Sequence, residues 1–184
     1  MAVVCSTAVV RLEATSLIDL QSSHFLYIKK KKDRRKRCIR AFNHVILKKP
    51  HSRIIYLVYE NGKCVILAAR SPHEIMRATR WICKIVKTRL VSLPVVRNVV
   101  YVGKYKLPNV PNVLGKMYED LRATQRVSLE PELSPALIVD SNTCTNAKIM
   151  IFRTGKVNIT GIRDFDSLPT IIKEVDCLLK IYNQ

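Results

Sequence analysis

Two similar stretches of the sequence decide the fold. The first reads Arg53-Ile-Ile-Tyr-Leu-Val-Tyr59-Glu-Asn-Gly62-Lys63-Cys-Val65-Ile-Leu-Ala68, and the second reads Lys148-Ile-Met-Ile-Phe152-Arg-Thr-Gly155-Lys156-Val-Asn-Ile-Thr160-Gly161. Each contains an apolar strand-like segment that ends on an aromatic residue, two polar residues, Gly-Lys, and a second strand-like segment. Glycine at this point supplies the positive φ that a tight hairpin requires. The two glycines lie 93 residues apart, which indicates an internal duplication.

The segments around each hairpin also correspond. Strand-like stretches open the copies at 3–10 and 95–102, short helix-compatible stretches follow at 14–20 and 111–117, and further strands precede the hairpins at 42–48 and 136–140. Each copy ends in a predicted amphipathic helix. The first begins at Ser71-Pro72-His73-Glu74, which has the form of a capping box, and the second is capped by Asp166 or Ser167, with Pro169 in its first turn.

These patterns predict an α+β fold in two pseudo-symmetric repeats, residues 1–92 and 93–184. The repeats would join into one curved antiparallel sheet with helices on its convex side. The other side would stay open as the working surface, unless an oligomer buries it.

The charge of the chain points to a polyanionic partner. Among 184 residues the net charge is +18, while 48% of the residues are hydrophobic, enough for a folded core. Residues 1–92 carry +15 of this charge, and nine basic residues lie between Lys29 and Arg40. This run predicts a nuclear-import signal, a phosphate-binding arm or simply a solvated loop, and its central cations are Lys29, Lys30, Lys31, Lys32, Arg34, Arg35, Lys36 and Arg37.

Several classes of protein are disfavoured by the sequence. No segment approaches the roughly 20 apolar residues of a membrane helix, so no membrane partner is expected. The six cysteines and four histidines show neither C-x-x-C nor H-x-x-x-H spacing, so we expect no metal and no cofactor. Nucleotide-binding glycine motifs and the serine-hydrolase motif are also missing, and an enzyme is not expected.

The second copy resembles the TATA-box-binding protein family. The resemblance rests on Glu130-Pro131-Glu132-Leu133-Ser134-Pro135, followed by Phe152-Arg-Thr-Gly155-Lys156-Val-Asn-Ile-Thr160-Gly161. The first copy matches by spacing rather than by identity. The resemblance implies a saddle whose concave sheet lies on the minor groove of double-stranded DNA, bends it, and acts in transcription initiation in the nucleus.

The resemblance also implies roles for individual residues. Phe42, Tyr59 and Phe152 would be wedges between base steps, Asn98 would hydrogen-bond to bases, and Val65 and Thr160 would face the groove. The phosphate-contacting positions would be Lys48, Arg53, Lys63 and Lys156. Ordinary core aromatics and polar turn residues are the alternative interpretations of these positions.

Partner contacts are implied on other surfaces. Glu130, Glu132 and Leu133 match the loop that binds transcription factor IIB, and Arg80 and Lys84 match helix positions used by acidic partners such as transcription factor IIA. Weak homodimerisation through the uncovered concave face is a further possibility.

Three positions depart from the family pattern. Ser134 replaces a wedge phenylalanine, Val3 stands where the first-copy asparagine would be, and Asn146 lies near a common arginine position after a one-residue insertion. These losses predict a shift from TATA selectivity towards general, salt-sensitive DNA affinity. The alternative is an adaptor that acts mainly through protein contacts. A basic RNA- or membrane-binding protein built around residues 29–37 is a third interpretation, which leaves the duplication unexplained.

Overall fold

The computed structural model describes residues 3–13, 44–48, 51–108 and 112–182. The chain divides into two compact units, which are Ser6–Arg97 and Asn98–Gln184 together with Met1–Cys5. We call these the first and second units. The repeat boundary between residues 92 and 93 stays a prediction.

The described residues contain nine strands and three helices. The strands are β1 (Val3–Leu12), β2 (His44–Lys48), β3 (Ile55–Tyr59), β4 (Lys63–Ala69), β5 (Leu90–Lys104), β6 (Val127–Leu129), β7 (Ala136–Asp140), β8 (Lys148–Phe152) and β9 (Lys156–Ile162). The helices are α1 (Pro72–Val86), α2 (Val113–Leu121) and α3 (Leu168–Lys180). The strand order is β2-β3-β4-β1 in the first unit and β5-β9-β8-β7-β6 in the second. The paired registers within each unit are antiparallel.

The two predicted hairpins are confirmed. Gly62 and Gly155 both adopt a φ of 77° between their paired strands. The carbonyl of Gly62 accepts a hydrogen bond from the backbone nitrogen of Leu12 at 2.8 Å. The carbonyl of Gly155 accepts one from the backbone nitrogen of Tyr105, also at 2.8 Å. Each turn is therefore tied to the end of the strand that opens its repeat.

Side chains alternate between two faces of each sheet, as the period of a strand requires. One face is buried and carries residues such as Tyr56 and Val58 in the first unit and Ile149 and Ile151 in the second. The other face is half-buried, and we call it the open face. In the first unit it consists of Thr7, Val9, Ile46, Leu57, Tyr59, Val65 and Leu67. In the second unit it consists of Asn98, Val100, Val102, Ile138, Met150, Phe152, Asn158 and Thr160.

The helix α1 begins as its sequence predicts. Ser71 is the N-cap, and its hydroxyl accepts a hydrogen bond from the backbone nitrogen of Glu74 at 3.2 Å. Pro72 occupies the first helical position, where its missing N–H costs nothing. The carboxylate of Glu74 accepts from the backbone nitrogen of Arg70 at 2.8 Å, so the reciprocal bond of the capping box falls one residue before the N-cap.

The start of α3 differs from the prediction. Ser167 is the N-cap, but its side chain makes no capping hydrogen bond. Instead the carboxylate of Asp164 accepts from the backbone nitrogen of Ser167 at 2.6 Å. The expectation that Asp166 or Ser167 caps this helix through its side chain is therefore wrong, because the acceptor comes from the preceding turn.

Other boundaries differ modestly from the sequence prediction. The second short helix covers Val113–Leu121 rather than 111–117, β5 begins at Leu90, and β6 adds a short strand that was not predicted. The predicted helix at 14–20 lies outside the described residues.

Equivalent positions in the two repeats differ in backbone strain. Ala68 has a φ of 66°, and Gly161, at the same place in the second repeat, has a φ of 83°. Left-handed backbone costs a non-glycine residue about 1–2 kcal/mol. A Cβ on Gly161 would lie 2.2 Å from the backbone oxygen of Asn146. The second repeat therefore requires glycine, whereas the first tolerates alanine at a cost.

We predict opposite effects on stability from the two exchanges at this position. Gly161→Ala should lower the free energy of unfolding by about 2 kcal/mol or more, because strain and the clash combine. Ala68→Gly should leave it unchanged or raise it by up to about 1 kcal/mol, since relief of strain is partly offset by chain entropy. Urea unfolding followed by circular dichroism measures both. Equal destabilisation by the two variants would contradict the assigned conformations.

Candidate nucleic-acid interface

An aromatic residue and a lysine flank the hairpin turn in both units. The ammonium of Lys63 lies 5.7 Å from the ring centroid of Tyr59, and that of Lys156 lies 5.9 Å from the ring centroid of Phe152. These are cation–π distances. Both rings are half-buried on the open face and both lysines are exposed. Each hairpin therefore presents an aromatic surface beside a positive charge.

The open face is apolar around Val65 in the first unit and more polar around Thr160 in the second. Val65 lies on β4 opposite Leu57 of β3 and Val9 of β1. Thr160 lies on β9 opposite Lys148 of β8. These predicted groove-facing residues, Val65 and Thr160, are half-buried. The open face therefore combines an apolar part in the first unit with hydroxyl, amide and charged groups in the second.

Asn98 is held in a defined orientation on β5. Its side-chain oxygen accepts a hydrogen bond from the backbone nitrogen of Gly161 at 2.9 Å. The left-handed conformation of Gly161 and the irregular register between Val99 and Tyr101 accompany this contact. Because the oxygen is occupied, the amide nitrogen is the group that Asn98 can offer to a ligand as a hydrogen-bond donor.

The equivalent of Asn98 in the first repeat is Cys5, and the assignment to Val3 is wrong. Ser6 pairs with Ala69 across an irregular register in β1 and β4. Val99 pairs with Ile162 across the matching irregularity in β5 and β9. The residue before each is the equivalent one, namely Cys5 or Asn98. A thiol is a weak donor compared with an amide, so a strong hydrogen-bonding group is still lost from the first repeat.

Ser134 lies at the start of β7 and has a local structural contact. Its hydroxyl accepts a hydrogen bond from the backbone nitrogen of Ala136 at 3.4 Å, and Ala136 is the residue that pairs with Phe152. The small side chains of Ser134 and Ala136 therefore lie near the end of β8, which carries Phe152. This end of the second unit presents one aromatic ring where the resemblance implies two.

Arg53 is engaged on the helix side of the first unit. Its guanidinium forms an ion pair with both carboxylate oxygens of Glu74, and its Nε donates to the carbonyl of Ala68 at 3.2 Å. A phosphate contact by Arg53 would compete with this pair. Its predicted role at a phosphate stays a prediction, and the geometry does not favour it.

The strands β2 and β7 end on opposite charges at one equivalent position. Lys48 ends β2 and pairs with Ile55, whereas Asp140 ends β7 and pairs with Lys148. The Lys148 ammonium donates to the Asp140 carboxylate at 2.6 Å. Sequence reasoning missed this pair. The available signal was the acidic residue that ends the second-copy strand where the first copy has lysine.

The predicted partner-contact residues are exposed. Glu130, Glu132 and Leu133 lie in the turn between β6 and β7, where Leu133 is 82% exposed. The carbonyl of Glu130 accepts from the backbone nitrogens of Leu133 and Ser134, which fixes the turn. Arg80 and Lys84 lie on the exposed side of α1.

Some predicted residues cannot be placed. Phe42 and the basic run at 29–37 lie outside the described residues. Within the described ranges, no group of three or more histidine, cysteine, aspartate or glutamate side chains is arranged to hold a metal ion. The helices among those residues include none that is long and apolar enough to cross a membrane.

Comparisons with known proteins agree with this geometry. A family model described as "Transcription factor TFIID (or TATA-binding protein, TBP)" matches residues 7–89 and 94–181. The chain is similar to the TATA-box-binding proteins of Pyrobaculum neutrophilum and Pyrobaculum aerophilum, each 25% identical over 149 residues that cover 78% of this chain and 68% of the relative.

The solved structure of Methanococcus jannaschii TBP matches with a TM-score of 0.66 at 17% identity, covering 97% of this chain and 98% of that one. This similarity confirms the predicted fold class, which is the α+β fold of that protein. Since the family model matches both repeats, the chain belongs to the TATA-binding protein family of DNA-binding transcription factors.

Proposed function

We propose that this protein binds promoter DNA through the minor groove with its open face, bends it, and recruits transcription factor IIB. The observation that carries the proposal is the matched aromatic–lysine pair at the hairpin of each unit, beside an apolar sheet face. In this proposal the rings wedge between base steps, a mode for which TATA-binding proteins are themselves a standard example, and the exposed lysines contact phosphates.

The chemistry of the open face suits a minor groove. That groove presents mainly acceptor atoms on A·T pairs, so an apolar face with a few donors fits it. Asn98 offers an N–H because its oxygen is bound to Gly161. Thr160 and Val65 add a small hydroxyl and a small apolar group. Selection of a sequence would then depend largely on how easily the DNA deforms.

Two positions that depart from the family pattern, Cys5 and Ser134, reduce the preference for TATA sequences in this proposal. Cys5 replaces a donor amide, and Ser134 stands where a second wedge is implied. Loss of wedges and donors weakens contacts that depend on the sequence, whereas contacts from lysine to phosphate do not depend on it. We infer weaker TATA preference and stronger salt dependence than a protein with two complete wedge pairs.

Protein partners would bind elsewhere. The exposed turn of Glu130, Glu132 and Leu133 combines two carboxylates with an apolar side chain, which suits a basic surface such as that inferred for transcription factor IIB. Arg80 and Lys84 on α1 suit an acidic partner, including transcription factor IIA. Homodimerisation and the absence of catalysis stay predictions. Nuclear localisation also stays a prediction, since it rests on residues 29–37 and the reported relatives are archaeal.

A second candidate is an adaptor that binds DNA weakly and acts through general transcription factors. The observation in its favour is the exposed Leu133 turn beside Ser134, because the protein-contact residues are retained where a wedge is lost. The interpretation as an RNA- or membrane-binding protein rests on residues 29–37 alone.

The primary test compares a TATA duplex with a scrambled duplex in gel-shift and bending assays over a salt series. We expect tighter binding and a measurable bend on TATA. Phe152→Ala should reduce the bend more than it reduces affinity for the scrambled duplex, because a wedge acts through unstacking. Equal affinities, a steep salt slope and no bend would favour the adaptor.

A matched pair of lysine variants tests the phosphate contact. Lys156→Ala should lower the slope of log affinity against log salt by about 0.9, the effect of one lost phosphate contact. Lys173→Ala, on the exposed side of α3, should leave the slope unchanged because it lies on the helix side. Equal effects from both variants would argue that Lys156 contributes only to net charge.

Removal of the Asp140 charge should strengthen DNA binding. Asp140→Asn frees the Lys148 ammonium and removes a negative charge from the end of β7, so we expect affinity to rise about two- to fivefold, with a salt slope steeper by about 0.9. Asp166→Asn, which removes an exposed carboxylate before α3, is the control. An equal gain from the control would show an effect of overall charge alone.

The turn at Leu133 should be needed for binding of transcription factor IIB. Leu133→Ala should weaken assembly of the factor IIB–DNA complex at least fivefold in a native gel, because an exposed apolar anchor would be lost from the interface. Ile181→Ala removes a comparably exposed apolar side chain (69% exposed) and should have no effect. Unchanged assembly by both variants would remove this turn from the proposal.

A further inference from the structure

Asn158 places an amide between apolar neighbours on the open face of the second unit. It lies on β9, opposite Met150 of β8 and Val102 of β5. All three side chains are half-buried on the open face. A thioether is a weak hydrogen-bond acceptor, and an alkyl side chain forms no hydrogen bond. The amide therefore stands between two cross-strand neighbours that do not satisfy it.

The side-chain oxygen of Asn158 is buried and has no hydrogen-bond partner among the described residues. A buried acceptor without a partner lowers the stability of a fold. Asparagine is also one of the residues that occur least often inside strands. Residues that break such local rules are expected mainly at functional sites. The amide of Asn158 is thus unfavourable for folding, and this points to a role in binding.

The first repeat has the same surroundings without the amide. Val65 lies 93 residues before Asn158, which is the spacing that relates the hairpin glycines. Val65 lies opposite Leu57 of β3 and Val9 of β1, and these two are the equivalents of the neighbours of Asn158. The surroundings are apolar in both repeats. The two units therefore differ here in a single hydrogen-bonding group.

This difference concerns the one group by which the minor groove distinguishes base pairs. An A·T pair presents only acceptors there, whereas a G·C pair adds the 2-amino group of guanine, which is a donor. A valine placed over that amino group would leave the donor buried and unpaired, which is unfavourable. An asparagine amide can turn about χ2 and direct its oxygen towards the groove. The oxygen can then accept a hydrogen bond from guanine.

We propose that Asn158 determines the sequence specificity of the second unit by accepting a hydrogen bond from the 2-amino group of a guanine. The second unit then tolerates a G·C pair at the base pair that Asn158 faces, whereas Val65 excludes one in the first unit. The inference rests on the proposed function, because it requires the open face to lie on the minor groove. It goes beyond a general loss of TATA preference, since it assigns a gain to one base pair in one half of the site.

Inosine isolates the group in question, because it is guanosine without the 2-amino group. A TATA duplex receives a single G·C or I·C pair at each position in turn, and its affinity for the full chain is measured by fluorescence anisotropy. At one position the unmodified protein should bind the guanine duplex at least as tightly as the inosine duplex. At that position Asn158→Val should bind guanine about fivefold or more weakly than inosine, because the amino group loses its acceptor.

The comparison of two proteins on the same duplexes removes the effect of DNA deformability, which also differs between guanine and inosine. The reciprocal variant Val65→Asn should improve binding of guanine relative to inosine at a second position, in the half of the site that the first unit covers. Asn142→Val removes an exposed asparagine from the loop between β7 and β8 and should leave all ratios unchanged. Urea unfolding checks the fold, and Asn158→Val should raise the midpoint because a buried unpaired acceptor is removed.

The inference and the proposed function fail in different ways. Equal guanine-to-inosine ratios for the unmodified protein and Asn158→Val at every position, with binding of the TATA duplex retained, would overturn the inference alone. An equal change of the ratios in Asn142→Val would likewise overturn it, since the effect would not belong to the open face. Absence of binding to the TATA duplex itself at low salt would remove the proposed function, and the inference with it.

Discussion

The contact between each hairpin glycine and the strand that opens its repeat fixes the register of the strands in each unit. A Cβ on Gly62 would lie 2.1 Å from the backbone oxygen of Leu12, and one on Gly155 would lie 2.0 Å from that of Tyr105. Only glycine allows this approach at a φ of 77°. Once the turn is fixed against the first strand, the registers of the neighbouring strands follow. A slip of one residue would exchange the buried face and the open face.

Both repeats keep this constraint, although their side chains differ at several positions of the sheet and of the helix surfaces. The Tyr59–Lys63 and Phe152–Lys156 pairs sit beside the two turns and are retained. Farther from the turns the repeats diverge, since β2 ends on the positively charged Lys48 and β7 ends on the negatively charged Asp140. Duplication thus supplies two copies of one aromatic–lysine pair.

The sequence was sufficient to predict what depends on local patterns. The hairpins, β7 and the capped start of α1 follow from glycine, alternation and a Ser–Glu spacing. The Cys5 position was missed because it depends on an irregular strand register that alternation does not reveal. The Arg53–Glu74 pair and the Trp81–Tyr56 stack were missed because each joins residues more than twenty positions apart. Such contacts arise from packing of the helix on the sheet. The signal in the sequence was the single tryptophan, Trp81, among the basic residues of α1.

Arg53 connects the strained backbone of the first unit with the helix α1. The left-handed conformation of Ala68 accompanies a hydrogen bond from Arg53 Nε to the Ala68 carbonyl, and the same guanidinium pairs with Glu74 on α1. In the second repeat the equivalent residues are Gly161 and Asn146, so no cation is present there and glycine carries the left-handed backbone that Ala68 carries in the first. Asn146 itself has a φ of 72°. The hydrogen bond offsets part of the cost of an alanine at this position. It also holds Arg53 on the helix side of the first unit. A phosphate contact by Arg53 would therefore require its guanidinium to leave the carboxylate of Glu74.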